Sequence, residues 1–267
     1  MSSFAPLSFS EFQNKRWLNT PDFNFVSTQS AIALVAQELP HAIPTMPVGF
    51  RKLEDGRYEL VAICALGNER NLFVHADGRW LASYKPALLR SYPFLTQYDN
   101  AQNRHVLCVD ESSGLVIDDA SQQGTPFFDD TGKPSEQLTK IKEFLTRWQK
   151  QRAVIQKAVD MLSSLGVIVP WTLHIKQHNG ETISALDGFY RVDEAVLNAL
   201  SSQKIQALRQ VNALPVAYAQ LFSQHRIAVL TRLNSMHAKN TDTPFSESDV
   251  DSLFKEGDDD FTFDFDS

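Results

Sequence analysis

The chain has two cysteines in 267 residues, Cys64 and Cys108, too few for a disulfide framework. Both sit inside apolar runs, VAICAL and HVLCVD. A nucleophilic thiol needs exposure and a lowered pKa, so these two read as inert core thiols. No run of 18 apolar residues occurs, which argues against a membrane-spanning helix. The opening MSSFAPLSFSEFQNKRW lacks a basic start followed by an apolar stretch, so no secretory leader is expected and the cytoplasm is the expected compartment. Also missing are a Gly-x-Ser-x-Gly elbow, a phosphate-cradling glycine loop and a dinucleotide fingerprint. Neither a cofactor nor a catalytic apparatus is expected. His174 and His178 have the spacing that places two metal ligands on one helix face. Their stretch alternates like a strand, however, where four residues span roughly 13 Å, so no metal site is expected.

What is present begins with one clear period. In SEQLTKIKEFLTRWQKQRAVIQKAVDMLSSL, residues 135–165, the apolar positions Leu138, Ile141, Leu145, Trp148, Ile155, Val159 and Leu162 step by three and four, a stripe along one helix face. Ser135 suits the N-cap, Glu136 the positive end of the helix dipole, and Gly166 the left-handed turn beyond the far end. This helix separates a β-rich half from a helix-rich half.

Residues before 45 read as a wrapping arm with scattered aromatics and one short helix, SAIALVAQEL, stopping before Pro40. From Pro47 the runs PVGFRKL, RYELVAICAL, NLFVHA and RWLASY, with Asp55-Gly56 and Asp77-Gly78 between them, predict an antiparallel meander. PALLRSYPF predicts a short helix opened by Pro86 and ended by Pro93, and HVLCVD and GLVIDD predict two more strands. After Gly166, VIVPWTLHIKQ and ETISALDGFYRV flank His178-Asn179-Gly180 as a hairpin. Helices follow, one capped by Asp193, one by Ser202, and a last one opened by Pro215 that carries Leu221, Phe222, His225, Val229, Leu233 and Met236. The expected architecture is α+β: residues 1–240 as a single domain, divisible at 134/135, and residues 241–267 as a tail.

Net charge is -7 over the whole chain. From Glu247 to Ser267 nine acids face one base, Lys255, so this segment carries -8 and the rest sums to +1. The acidity belongs to the tail, and no basic surplus points to nucleic acid. Within SLFKEGDDDFTFDFDS, Asp258, Asp259 and Asp260 repel one another, while Phe261, Phe263 and Phe265 alternate with polar residues at strand period. Such phenylalanines call for a receiver. Another protein and this chain's own sheet edge both fit, and a protein partner engaging Phe254, Asp258, Asp259, Asp260, Phe261, Phe263 and Phe265 is the leading expectation. A second candidate is a groove of aromatics and arginines from Trp80, Tyr84, Arg90, Tyr92 and Phe94 with Tyr190, Arg191 and Asp193. The competing reading is that these rings are core and that Asp193 is a helix cap.

The segments PVGF, GNERNLFVHADGRWLASYKPALLRSYPF, PFFDDTGKPSEQL, DGFYRVDEAVLNAL and LRQVNALPVAYAQLFS resemble the bacterial SapC family from about residue 40 to residue 235. The resemblance implies a link to surface-layer or outer-membrane functions and carries no catalytic residues over. Three functions are therefore open: a non-catalytic adaptor with a docking tail, a binder or modifier of small molecules or peptides at the aromatic-arginine groove, and a surface-layer structural protein.

Overall fold

The computed structural model of the protein describes residues 4–19, 22–67, 70–101, 103–118, 123–176 and 182–239. It is α+β, with antiparallel pairing in every sheet. The largest sheet has the order β10-β13-β4-β5-β3, formed by β10 (Ile168–Pro170), β13 (Phe189–Val192), β4 (Val48–Lys52), β5 (Tyr58–Ile63) and β3 (Ala31–Ala33). Its centre is the expected hairpin around Asp55-Gly56, in register from Val48↔Ala62 to Lys52↔Tyr58. Gly56 takes a positive φ of 84°, which favours glycine at this tight turn. Pairing of β13 with β4 ties the chain beyond the long helix to the chain before it.

A second sheet has the order β1-β7-β6, from β1 (Phe4–Pro6), β7 (Arg104–Asp110) and β6 (Phe94–Asp99). Two small sheets complete the set: β8 (Val116–Asp118), β2 (Lys15–Trp17) and β9 (Thr125–Pro126) in one, and β11 (His174–Lys176) with β12 (Thr182–Ser184) in the other.

The long helix, Glu136–Ser164, forms as its period predicts. Ser135 Oγ accepts from the Leu138 amide, and Gly166 closes the far end at a positive φ of 71°. Counting the short helices Phe9–Phe12 (α1) and Leu39–Ala42 (α2) before it, this is α3. Leu138 and Leu145 enter one core cluster with Phe12, Trp17, Phe94, Val109 and Phe127. Nearly three turns on, Ile155, Val159 and Leu162 enter the main cluster with Phe50, Ile63 and Leu66. One stripe thus covers two cores. Beyond it lie α4 (Glu194–Asn198), α5 (Ser202–Gln210), α6 (Ala213–Ser223) and α7 (Ile227–Lys239). Asp193 caps α4 by accepting from the Val196 amide.

Several local expectations are corrected. SAIALVAQEL is not a helix: Ala31, Ile32, Leu34 and Val35 are all buried, and β3 pairs with β5 before a 3-10 turn at Ala36–Glu38. A run apolar on all sides fits a buried strand as well as a helix, and here sheet pairing decides. Pro40 opens α2 where the expectation made it a stop. NLFVHA and RWLASY form no strand pair beyond the single bridge Val74↔Trp80. Asn71 fastens this loop instead, donating to the Val26 carbonyl and accepting from the Phe73 amide. Leu72, Phe73, Val74, Leu81 and Ala82 then sink into the core without alternation. PALLRSYPF is a 3-10 helix over Ala87–Ser91, and the chain goes directly into β6. Ser201, one residue before the expected Ser202, caps α5. The last predicted helix is divided into α6 and α7 by a 3-10 turn at Gln224–Arg226, and Phe222 on its expected apolar stripe is exposed.

Candidate binding cleft

A cleft of about 740 Å³ opens between the edge strands of the two larger sheets, β3 and β6. Backbone phase shows which strand groups face it. Cys64 N donates to Ser30 O and Leu34 N to Leu60 O, while Ile63 N turns the other way to Pro47 O. Residues 30, 32 and 34 therefore bond toward β5, and the N–H and C=O groups of Ala31 and Ala33 point outward from the sheet. On β6, Asp110 N donates to Pro93 O, and Leu107 O accepts from Leu7 N on the β1 side. Phe94 and Thr96 likewise present their backbone groups to the free edge. Among the described residues these outward groups have no backbone partner.

Val26, Ile32, Leu88, Leu89 and Leu95 make the cleft apolar. Along its wall Phe25 and Tyr92 stack at 3.7 Å between centroids, 6° from parallel. Tyr92 Oη donates to Asp110 Oδ2 at 3.2 Å, and Asp110 is buried, its other oxygen accepting from the Ser112 amide and hydroxyl. Burial first, and then the Asp110 charge, push the Tyr92 phenol up to about 12. The charged lining is Arg51, Glu59 and Arg152. Glu59 is buried, with Oε1 accepting from Arg51 Nε at 3.1 Å and Oε2 from Arg152 Nη2 at 2.9 Å. Arg51 comes from the strand opposite and Arg152 from α3. Two cations on one carboxylate leave the lining at +1.

A neighbouring cleft of about 530 Å³ lies over Glu38, with His41, Tyr84, Arg90, Arg147 and Gln151 at its walls. Glu38 is 4% exposed. Its oxygens accept from the Val35 and Ala87 amides at 3.1 and 2.6 Å, from Tyr84 Oη at 2.9 Å and from Trp148 Nε1 at 3.4 Å. Burial, then the Glu38 charge, raise the Tyr84 phenol above its ordinary range.

The proposed groove residues are thus distributed over separate places. Tyr84 and Arg90 share the cleft over Glu38, and Tyr92 and Phe94 line the larger one. Trp80 packs between Phe23 and Phe73 and donates its indole N–H to the Tyr84 carbonyl at 2.8 Å. Tyr190 packs edge-on against Tyr58, Arg191 donates to the Val192 carbonyl, and Asp193 caps α4. None of these last three lines either cleft. The partner-docking residues Phe254, Asp258, Asp259, Asp260, Phe261, Phe263 and Phe265 lie outside the described residues, as does His178.

Glu38, Glu59 and Asp110 were not singled out from sequence. The signal for Glu59 was available: hairpin symmetry about Asp55-Gly56 sets it opposite Arg51. His75 reads as isolated in sequence, yet its Nδ1 lies 2.8 Å from Asp77 Oδ1. The Asp77 carboxyl is held down at about 2: burial opposes this, and bonds from the Arg79 amide, His75 and the Arg79 side chain outweigh it. Both cysteines are buried, and burial raises both thiol pKa values. Among the described residues no three His, Cys, Asp or Glu side chains gather as a metal site would require, and no helix is long and apolar enough to cross a membrane.

No curated protein and no solved structure matches the chain. The SapC family model matches residues 7–230, a span that takes in α3 and every strand except β1, so the chain belongs to the SapC family.

Proposed function

We propose that this SapC-family protein is a non-catalytic adaptor that acts on the cytoplasmic side and docks a protein partner through Phe254, Asp258, Asp259, Asp260, Phe261, Phe263 and Phe265. The carrying observation is charge segregation: residues 247–267 hold -8 of a net -7, with Phe261, Phe263 and Phe265 alternating among aspartates. An extended segment of that pattern presents a row of rings on one side and charge on the other, the form in which peptides add to a sheet edge or fill a basic, pocketed groove. The body supports the reading in that its buried carboxylates, Glu38, Glu59 and Asp110, are each consumed by structural bonds. The test compares the wild-type chain with a Phe261→Ser, Phe263→Ser, Phe265→Ser variant in cells, by affinity capture and cell fractionation. Loss of specific partners in the variant is expected, and an unchanged partner set would sink the proposal.

A second reading, a binder of peptides or small molecules, is favoured by the cleft that Tyr92 and Phe94 line. It uses Tyr92, Phe94 and the Arg51 and Arg152 end of that cleft, without Tyr190 and Arg191.

A further inference from the structure

The cleft between β3 and β6 has three properties that together specify an occupant. Its walls present unpaired strand edges at Ala31, Ala33 and Phe94, which call for an extended chain. Its lining is apolar at Val26, Ile32, Leu88 and Leu95, which accepts side chains recurring every second residue along a strand. At one end stand Arg51 and Arg152, with side chains 41% and 38% exposed. Glu59 engages only part of their donor capacity, because a guanidinium offers five N–H groups. The remaining donors suit carboxylates. An extended peptide alternating aromatic and acidic residues meets all three requirements.

One such peptide is in this chain: Phe261-Thr262-Phe263-Asp264-Phe265-Asp266. Reach permits it. Described structure ends at Lys239, and two residues earlier the His237 ring bonds the Leu72 carbonyl at 2.9 Å. The adjacent Asn71 donates its amide N–H to Ser27 O at 2.8 Å, and Ser27 lies between Val26 and Thr28 of the cleft lining. A short relay of contacts thus links the end of α7 to the cleft lining. The connection from Lys239 to Phe261 spans up to about 70 Å when extended, with a root-mean-square span near 26 Å for a flexible chain.

We propose that residues 261–266 occupy this cleft in the same molecule, pairing with the β3 or β6 edge, with the phenylalanines against the apolar lining and Asp264 and Asp266 toward Arg51 and Arg152. The proposal rests on the reading of this segment as a docking element and assigns its resting place. Tethering supplies an effective concentration on the order of millimolar, so an external partner must outcompete the protein's own cleft for the same rings.

The experiment uses the full chain. Hydrogen exchange at Ala31, Ala33 and Phe94 is compared between wild type and the Phe261→Ser, Phe263→Ser, Phe265→Ser variant, with the β4–β5 amides as the control for folding. Exchange at one of the two edges is expected to rise at least tenfold in the variant while the control amides stay unchanged. Equal edge exchange in both proteins overturns the proposal. A photo-crosslinking residue at position 263, in a mixture of light and heavy isotope-labelled chains, reads the occupant directly. Crosslinks within one chain to Val26–Ala33 or Leu88–Leu95 are expected. Crosslinks between chains assign the cleft to a second copy, and crosslinks elsewhere or none at all vacate it; each overturns the proposal. If the cleft is empty but the serine variant still loses its cellular partner, only this inference falls. If the cleft is filled but partners are unchanged, the adaptor reading falls instead.

Discussion

Trp148 in the long helix donates its indole N–H to Glu38 Oε2 at 3.4 Å, joining residues 110 positions apart. The same carboxylate receives the Val35 and Ala87 amides and the Tyr84 hydroxyl. It therefore fastens α3, the 3-10 helix after Pro86 and the turn before α2 at one buried point. Deleting an acceptor that serves several buried donors leaves those donors unsatisfied, which costs more than the bonds contribute net. Glu38→Ala is expected to lower unfolding free energy by about 3–5 kcal/mol, near the upper range for single substitutions. Glu38→Gln keeps one acceptor oxygen and is expected to lose about half as much. Urea unfolding followed by tryptophan fluorescence measures both, and equal stability of Glu38→Ala and wild type would refute the anchoring role.

Around Glu59 the partners are two. With Arg51 and Arg152 both in place the buried carboxylate is matched; with one gone it keeps a charged donor, and with both gone it is an unpaired buried charge. Each guanidinium is more than a third exposed, so solvent screening holds the single losses, Arg51→Met and Arg152→Met, to about 1 kcal/mol. The double substitution is expected to cost about 3–5 kcal/mol, the range for stranding a buried charge. A double-mutant cycle reads the excess. Strict additivity would show that water already serves Glu59.

The parts of this architecture that sequence could specify are those where one local signal has no rival. The stripe from Leu138 to Leu162 has a single period and a capping serine, and Asp55-Gly56 stands between two strand-forming runs that pair in register. Ambiguity began where pattern is uniform. The run from Ala31 to Val35 is apolar at every position, and only the presence of β5 beside it makes Ala31–Ala33 a strand. The larger cleft was half legible: Tyr92 and Phe94 were singled out, whereas Arg51, Glu59 and Arg152 meet through a hairpin register and a helix 93 residues from Glu59. Tyr190 and Arg191 were grouped with Arg90 on composition alone; β13 pairs with β4, where Tyr190 packs on Tyr58.

Tyr92 provides a pH signature. Its phenol titrates near 12 in the folded protein against an ordinary value of 10.0, because burial and Asp110 disfavour the phenolate. The folded state thus binds the proton more tightly than the unfolded chain does. Stability from this group is fully present below pH 10 and is lost as pH rises from there through 12. Asp110→Asn removes the second cause and leaves the first, so the Tyr92 midpoint is expected to move down only part of the way toward 10. The difference in absorbance near 295 nm between each protein and its Tyr92→Phe counterpart isolates this residue. An unmoved midpoint would assign the whole displacement to burial.

Gln220 and Ser223 are buried polar residues on α6, an otherwise apolar helix, and both end on strand backbone. Gln220 Oε1 accepts from the Val192 amide at 2.9 Å and its Nε2 donates to the Val48 carbonyl at 3.3 Å, while Ser223 Oγ accepts from the Val48 amide at 3.0 Å. Val48 and Val192 lie on β4 and β13, so these side chains satisfy sheet groups where the two strands diverge. An apolar replacement of similar volume isolates that role from packing. Gln220→Leu is expected to cost about 2–3 kcal/mol, since it orphans the Val192 amide and leaves the Val48 carbonyl only the longer contact from Ser223 Oγ, and Ser223→Ala about 1–2 kcal/mol, since it orphans one amide. Hydrogen exchange at Val48 and Val192 separates this from general loosening. In Gln220→Leu the Val192 amide should exchange faster than its neighbours on β13, and in Ser223→Ala the Val48 amide should do so on β4. A uniform rise across both strands would mean that the two side chains act through packing.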